Sequence, residues 1–327
     1  MTPLAVLDLS PVPAGSTSGQ ALASSIRLAQ QAEQLGLTRY WVAEHHGMPG
    51  VASSAPAVLI GAAAAATSTI RVGSGGVMLP NHPPLVVAEQ FGMLEALHPG
   101  RIDLGLGRAP GTDQRTATAL RRPTQGGEDF PEELQQLRAF FDGRVEGITA
   151  VPAEGNAPDI WLLGSSGYSA QVAGLLGLPF AFAHHFSGQA TLPALELYRS
   201  RFRPSERLEA PYAIVTTGVL CAPTDDEAVE LAWPAALSFV QLRSGRPGLL
   251  PSPQQTADHP WTTAERAFAE ERIAGQVVGA PDTVAKGLRA LQEATGADEL
   301  MLTTSTHDPS DRTRSFALAV AAWEAAS

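Results

Sequence analysis

An apolar run, a turn and an amphipathic segment succeed one another along the whole of these 327 residues, and no linker-like stretch breaks the series. This rhythm marks β/α units, in which each parallel strand is followed by the helix that carries the chain back to the next strand. The runs Leu4 to Leu9, Arg39 to Ala43, Ile70 to Gly73, Arg101 to Leu106, Ile160 to Leu163, Phe180 to Ala183, Ala213 to Leu220 and Glu299 to Thr303 read as strands. Helical spacing falls between and after them at Gln20 to Leu35, Ala55 to Thr67, Pro84 to Leu97, Glu132 to Phe141, Ser169 to Leu176, Leu192 to Phe202, Asp225 to Leu242, Thr283 to Ala294 and Asp311 to Ala325. Eight strands alternating with helices predict an α/β protein with one domain over residues 1–327, a (β/α)8 TIM barrel with insertions at its C-terminal face. A doubly wound sheet would need a nucleotide fingerprint. The nearest match, Gly105-Leu106-Gly107-Arg108-Ala109-Pro110, puts Pro110 at the third glycine position, and no helical pattern follows it directly.

Charge narrows the partners. Lys and Arg number 22 against 33 Asp and Glu, a net charge of -11 with no basic cluster, which argues against a nucleic-acid or anionic-membrane surface. The single Cys221 can form no internal disulfide and the N-terminus lacks a signal-peptide pattern, so a cytoplasmic location is expected. Ala55 to Ala66, the longest apolar run, is mostly alanine and too short for a membrane span. Together with the apolar segment Val86 to Leu97 it could form a dimer face, or equally pack within one chain.

The C-terminal strand tips of a barrel converge on one mouth. Here those tips carry Asp8 and Ser10, then Glu44, His45 and His46, then Ser74, Gly75 and Gly76, then Arg108, Ser165, Ser166, His184 and His185. The stretch from Tyr40 to His46 starts apolar and β-prone and ends in three ionisable side chains, as a buried strand delivering polar groups to the mouth would. Half of the 8 histidines fall in two tip pairs, a clustering that packing alone explains poorly. Adjacent histidines on a strand point in opposite directions and show no zinc-ligand spacing, so proton transfer or hydrogen bonding to a cofactor is expected in place of a metal. His46 and His185 read equally well as caps of loop carbonyls.

Two further stretches suggest a ligand. Glycine in Gly73-Ser74-Gly75-Gly76 permits close approach by a flat molecule or an unusual peptide geometry; the plain alternative is a turn, which the apolar Val77-Met78-Leu79 disfavours. Gly164-Ser165-Ser166-Gly167-Tyr168-Ser169 leads a strand directly into a helix, and such a small, hydroxyl-rich N-terminus suits a phosphate, whereas an ordinary cap accounts for only one serine. In an acidic chain that anion needs a nearby cation. Arg108 is the best placed, with a solvent-facing loop arginine as the alternative, while Arg121 and Arg122 read as solvated. Gly107 to Asp129 and the Pro-rich Ser244 to Trp261 are long insertions of the kind that carry function, and the first is expected over the mouth.

Trp41-Val42-Ala43-Glu44-His45-His46, Arg71-Val72-Gly73 through Val77-Met78-Leu79-Pro80, Pro99-Gly100-Arg101-Ile102-Asp103-Leu104-Gly105-Leu106-Gly107-Arg108 and Gly164-Ser165-Ser166 resemble, in order and over nearly the whole chain, the bacterial-luciferase-like flavin-dependent monooxygenases. The resemblance implies a barrel that takes reduced FMN from a separate flavin reductase and reacts it with O2 to a C4a-peroxyflavin, which oxygenates a small organic substrate. Relatives that use the deazaflavin F420 for hydride transfer give one alternative, and a non-catalytic flavin-binding protein gives another. By motif position His45 matches the catalytic histidine, Gly75-Gly76 a non-proline cis peptide under the ring after Ser74, and Arg108 a basic residue toward the phosphate. Ser165, Ser166, Tyr168 and Ser169 fall in the phosphate turn. Gly164 stands where luciferase has an acidic residue and no active-site cysteine is evident, so light emission is not implied. The Ser244 to Trp261 insertion, with His259 and Trp261, matches a mobile loop expected to order over bound flavin, and a homodimer is expected.

Overall fold

The computed structural model describes residues 1–109, 112–121 and 129–326. Its strands are β1 (Leu4–Asp8), β2 (Arg39–Val42), β3 (Arg71–Ser74), β4 (Val77–Met78), β5 (Ile102–Gly107), β6 (Asp159–Gly164), β7 (Phe180–Phe182), β8 (Ala213–Cys221), β9 (Val277–Gly279) and β10 (Glu299–Thr303). The helices are α1 (Ser18–Gln34), α2 (Pro56–Ala65), α3 (Pro84–Leu97), α4 (Gln114–Ala119), α5 (Phe130–Phe141), α6 (Gly167–Leu176), α7 (Thr191–Arg201), α8 (Asp225–Arg243), α9 (Pro253–Ala257), α10 (Thr263–Ala274), α11 (Pro281–Thr295) and α12 (Pro309–Ala325). The sheet runs β10-β1-β2-β3-β5-β6-β7-β8 and closes because β8 also pairs with β10. Every ladder is parallel, which gives the (β/α)8 barrel expected from the sequence. The short β4 continues β3 along β5, and β9 adds to the upper end of β8.

Strand alternation separates two apolar layers. Ala5, Leu7, Trp41, Ala43, Trp161, Ala181, Ile214 and Met301 point into the barrel. Leu4, Val6, Tyr40, Val42, Val72, Leu104 and Leu162 point outward into the larger core beneath the helices. At the N-terminal end charged side chains close the barrel. Arg39, at the start of β2, donates to Glu299 Oε1 at 2.9 Å and to Asp103 Oδ2 at 2.7 Å, and Trp41 Nε1 also reaches Asp103 Oδ2, at 2.8 Å. Above this floor Trp41, Trp161 and Tyr212 pack edge to face, so the open space lies toward the strand tips.

The expected strands and helices appear within a residue or two of their positions. The departures lie after strand tips. The stretch after β5 contains α4, begun by the Asp113 N-cap, and Pro110 and Arg122 lie outside the described residues. The Pro-rich insertion contains α9, and α10 and β9 follow it where no element was expected. Among the described residues no helix is long and apolar enough to cross a membrane.

Candidate functional site

A cavity of about 760 Å³ fills the C-terminal mouth of the barrel. Of the residues expected there, His45, Gly75, Gly76, Arg108, Gly164, Ser165, Ser166 and Ser169 line it together, although they come from four different strand tips. Two do not. Ser74 ends β3 with its side chain turned to the sheet, where its hydroxyl donates to Gly105 O at 2.9 Å. Tyr168 stands on the outer side of α6, 36 % exposed, with the Arg108 guanidinium 4.3 Å from its ring centre.

His45 follows the tip of β2. Its backbone N–H donates to Ser53 O at 3.0 Å, and Ser53 Oγ in turn donates to Ala43 O at 2.5 Å, so the loop folds back and fixes the imidazole over the barrel. The ring nitrogen Nδ1 is buried and has no hydrogen-bond partner among the described residues. Burial lowers the pKa of His45, the neighbouring Glu44 opposes the shift and His46 reinforces it, so the ring is neutral near pH 7.

Glu44 points the other way and is fully buried. Its Oε1 accepts from His46 Nε2 at 2.8 Å and His82 Nε2 at 2.9 Å, while Oε2 accepts from the Met78 backbone at 3.1 Å. Burial pushes its pKa up, but the His82 hydrogen bond and charge, with the hydrogen bonds from His46 and the Met78 backbone, win and hold it below the usual value. These three side chains offer ligand atoms within 4.8 Å of one another, a cluster that could hold a cation. The hydrogen bonds just given already account for each of them. His46 is therefore a partner of Glu44 and does not line the cavity. The His184/His185 pair divides in the same way. His184 Nδ1 meets Thr191 Oγ1 at 2.8 Å, whereas His185 lines the cavity with Nδ1 3.2 Å from Thr216 O.

Glycines shape the floor on the β3–β5 side. The Gly75–Gly76 peptide is cis, as the resemblance implied. A Cβ on Gly76 would lie 2.7 Å from Gly105 O, and one on Gly105 only 2.1 Å from Ser74 O, so β3, β4 and β5 close up only around bare backbone. Beside them, after the neighbouring strand β6, Ser166 caps α6 without a side-chain hydrogen bond. The first N–H groups of the helix thus face a turn of small residues, with Ser165, Ser166 and Arg108 on the same wall.

Other groups at the mouth were not foreseen. Asp8 and Ser10, expected at the mouth, belong behind the sheet: Asp8 accepts from Arg312 NH1 at 2.8 Å and Ser10 Oγ accepts from Ser25 Oγ at 2.8 Å. The insertion after α8 contributes Pro247, Gly248 and Leu250 to the cavity. It is tied to the β1–α1 loop by Leu250 N to Val12 O at 2.9 Å and Ala14 N to Leu250 O at 2.8 Å. Its His259 and Trp261 pack edge to face, centres 4.8 Å apart, away from the cavity. Phe239 on α8, Arg272 on α10 and Gln276 before β9 complete the far wall, and the sequence reading reached none of them.

A flavin-type cofactor with a phosphate suits this site on three structural grounds: among the described residues an unpartnered imidazole nitrogen, a bare-backbone floor, and a helix start without a side-chain cap beside an arginine. Comparison with known proteins agrees with the architecture. The profile of a family described as luciferase-like monooxygenase matches residues 2–299. A protein of Escherichia coli (strain K12) named luciferase-like monooxygenase is 49% identical over 318 residues, covering 96% of this chain and 95% of that protein. The crystal structure of apo-MsnO8 superposes with a TM-score of 0.91 at 40% identity, covering 99% of both chains. At 21% identity and a TM-score of 0.71, covering 97% of this chain and 96% of the other, the oxygenating constituent of 3,6-diketocamphane monooxygenase from Pseudomonas putida, a type II Baeyer-Villiger monooxygenase solved in complex with FMN, shares the fold.

Proposed function

We propose a function from one premise: the chain belongs to the luciferase-like monooxygenase family. It is a flavin-dependent monooxygenase that uses reduced FMN and O2 to oxygenate a small organic substrate, working as one barrel domain and receiving the reduced flavin from a separate reductase. The observation that carries this reading is the neutral His45, whose unpartnered Nδ1 shares one cavity with Gly75, Gly76, Ser165, Ser166 and Arg108.

When bound, reduced FMN supplies the electrons that activate O2. The residues of the chain do the rest. Arg108, the Ser165 and Ser166 hydroxyls and the start of α6 hold the phosphate. Gly75 and Gly76 let the flat ring lie against backbone. His45, neutral, would donate or accept one proton at Nδ1, and Ser53 keeps the loop that carries it from swinging away. Glu44 acts through its histidine partners as a positioning residue. The apolar inward layer of Leu7, Ala43, Ala181 and Met301 would exclude water from the bottom of the cavity. The exposed apolar stripes of α2 and α3 form the face of a homodimer.

Anaerobic titration with FMNH2 and with reduced F420 tests the cofactor, and His45→Ala tests the chemistry. The wild type should bind FMNH2, and the variant should keep that affinity within about threefold. On exposure to O2 with a panel of thioethers, ketones and aldehydes, oxygenated product from the variant should fall by ~10²-fold or more, the usual share of a general acid or base. Binding of reduced F420 alone, or undiminished product from the variant, would overturn the reading.

A further inference from the structure

The roles just assigned leave one charged group of the cavity unused. In a chain of net charge -11 the lining contains two arginines, Arg108 and Arg272, and, among the described residues, no aspartate or glutamate. Arg108 stands at the tip of β5; Arg272 is carried by α10 to the opposite side, beside the tips of β7 and β8. Its guanidinium lies 3.6 Å from the ring centre of Phe239 and makes one long hydrogen bond, NH1 to His185 O at 3.4 Å. Among the described residues no carboxylate pairs with it, and burial pushes its pKa down to about 10. A desolvated cation with only a ring face and a long carbonyl contact is poorly compensated, and such groups in clefts mark ligand sites. Thr216 and Gln276 line the same corner, the Gln276 amide resting where Gly218 leaves room, 2.6 Å from the position a Cβ would take. The lining that holds both arginines also includes the apolar Leu7, Ala181, Leu220 and Met301.

We propose that Arg272 anchors a negatively charged group of the organic substrate, so that this cavity accepts a small organic anion whose apolar body ends in one carboxylate or sulfonate. The assignment rests on the reading that Arg108 and the Ser165 turn take the flavin phosphate, and the measurement separates the two.

Binding of octanoate, octane-1-sulfonate and 1-octanol is measured by calorimetry on the FMN-loaded protein and on the protein without FMN. Wild type should prefer an anion over the alcohol by ~10-fold or more, as a hydrogen bond between charged groups provides; whichever anion binds more tightly identifies the head group. Arg272→Met should erase the preference, Arg272→Lys should retain part of it, and FMN affinity should stay within about threefold in both. Arg108→Met should instead weaken FMN. No preference in the wild type, or a preference that survives Arg272→Met, overturns the proposal, and so does loss of FMN binding in Arg272→Met comparable to that in Arg108→Met. If FMN does not bind the wild type but the Arg272-dependent preference persists, the cofactor reading fails and the anion anchor stands.

Discussion

Asp8 sits at a strand tip facing the mouth in sequence but the helices in space. Its carboxylate accepts from Arg312 at 2.8 Å, from Tyr40 Oη at 2.6 Å and from the Ser10 backbone at 2.8 Å, joining β1 to α12. Burial raises its pKa, but Arg312 and the hydrogen bonds more than offset this, so the group is ionised and paired. Asp8→Ala would leave the Arg312 guanidinium buried without a counter-charge, a loss of ~3–5 kcal/mol that urea denaturation should resolve. His185 sets a second residue-scale expectation. Burial pushes its pKa down to about 4, against the hydrogen bond to Thr216 O and with help from the Arg272 charge. The folded value lies below the unfolded one of about 6.5. The unfolded chain therefore takes up a proton that the folded chain refuses, and the stability due to neutral His185 is complete above about pH 6.5 and lost as the pH falls toward 4. The loss is at most ~3 kcal/mol, smaller to the extent that the ring is solvated. In His185→Asn the difference between urea midpoints at pH 7 and pH 4.5 should shrink relative to wild type; an unchanged difference would remove His185 as its source. Strand alternation explains why Asp8 was misplaced and His45 was not. Ala5 and Leu7 point inward, so Asp8 must point out, whereas His45 follows the inward series Trp41, Ala43.

At the scale of elements, β3, β4 and β5 carry the clearest expectation, because their contact leaves no room for side chains. A Cβ on Gly105 or Gly76 would strike backbone oxygen at 2.1 and 2.7 Å, while one on Gly75 would meet Leu7 Cδ1 at 2.6 Å, the movable end of a side chain. Gly105→Ala and Gly76→Ala should each cost ~1–3 kcal/mol or more, as overpacking does, and Gly75→Ala distinctly less; thermal denaturation of the three variants should give that order. Equal losses would show that the contacts are not backbone-limited. The barrel strands and their helices were legible because burial on both sides writes apolar runs, and the returning helices write periodic ones. The elements beyond the barrel were not. In α10 the buried positions are few, Ala269 and Ile273, and a Pro-rich approach hides its start. The signal was present as a capping box: Thr262 Oγ1 accepts from Glu265 N at 3.2 Å, and the Glu265 carboxylate accepts from Thr262 N at 3.0 Å. Reading that box would have placed α10, and with it Arg272, whose aim into the cavity depends on the helix packing against α8 and on no local pattern.

For the whole molecule the question is what covers α2 and α3. Leu59, Ile60, Ala63 and Ala64 of α2 pack inward, yet the opposite stripe is also apolar, with Ala55 just before the helix and then Val58, Ala62 and Ala65 in the open. Val58 is 75% exposed, and on the adjacent α3 Met93 and Leu97 are 53% and 67% exposed. A helix that is apolar on every side is normally covered on every side, and a patch formed by two such helices exceeds the scattered exposed leucines of ordinary surfaces. The sequence left two readings of these helices open; one face builds the barrel's outer core, and the other is exposed and apolar, as the dimer proposal requires. A second copy is the occupant that needs no other gene product, and a self-complementary twofold pairing is the commonest way to bury such a face. Sedimentation velocity at micromolar concentration should therefore give a dimer. Val58→Glu combined with Leu97→Glu should shift it to monomer, since two charges would be buried unpaired at the interface. FMN affinity should be unchanged within about threefold, because neither residue lines the cavity. A wild type that sediments as a monomer would leave the stripe without a second copy to cover it, and a charged double variant that remains dimeric would move the interface to another face.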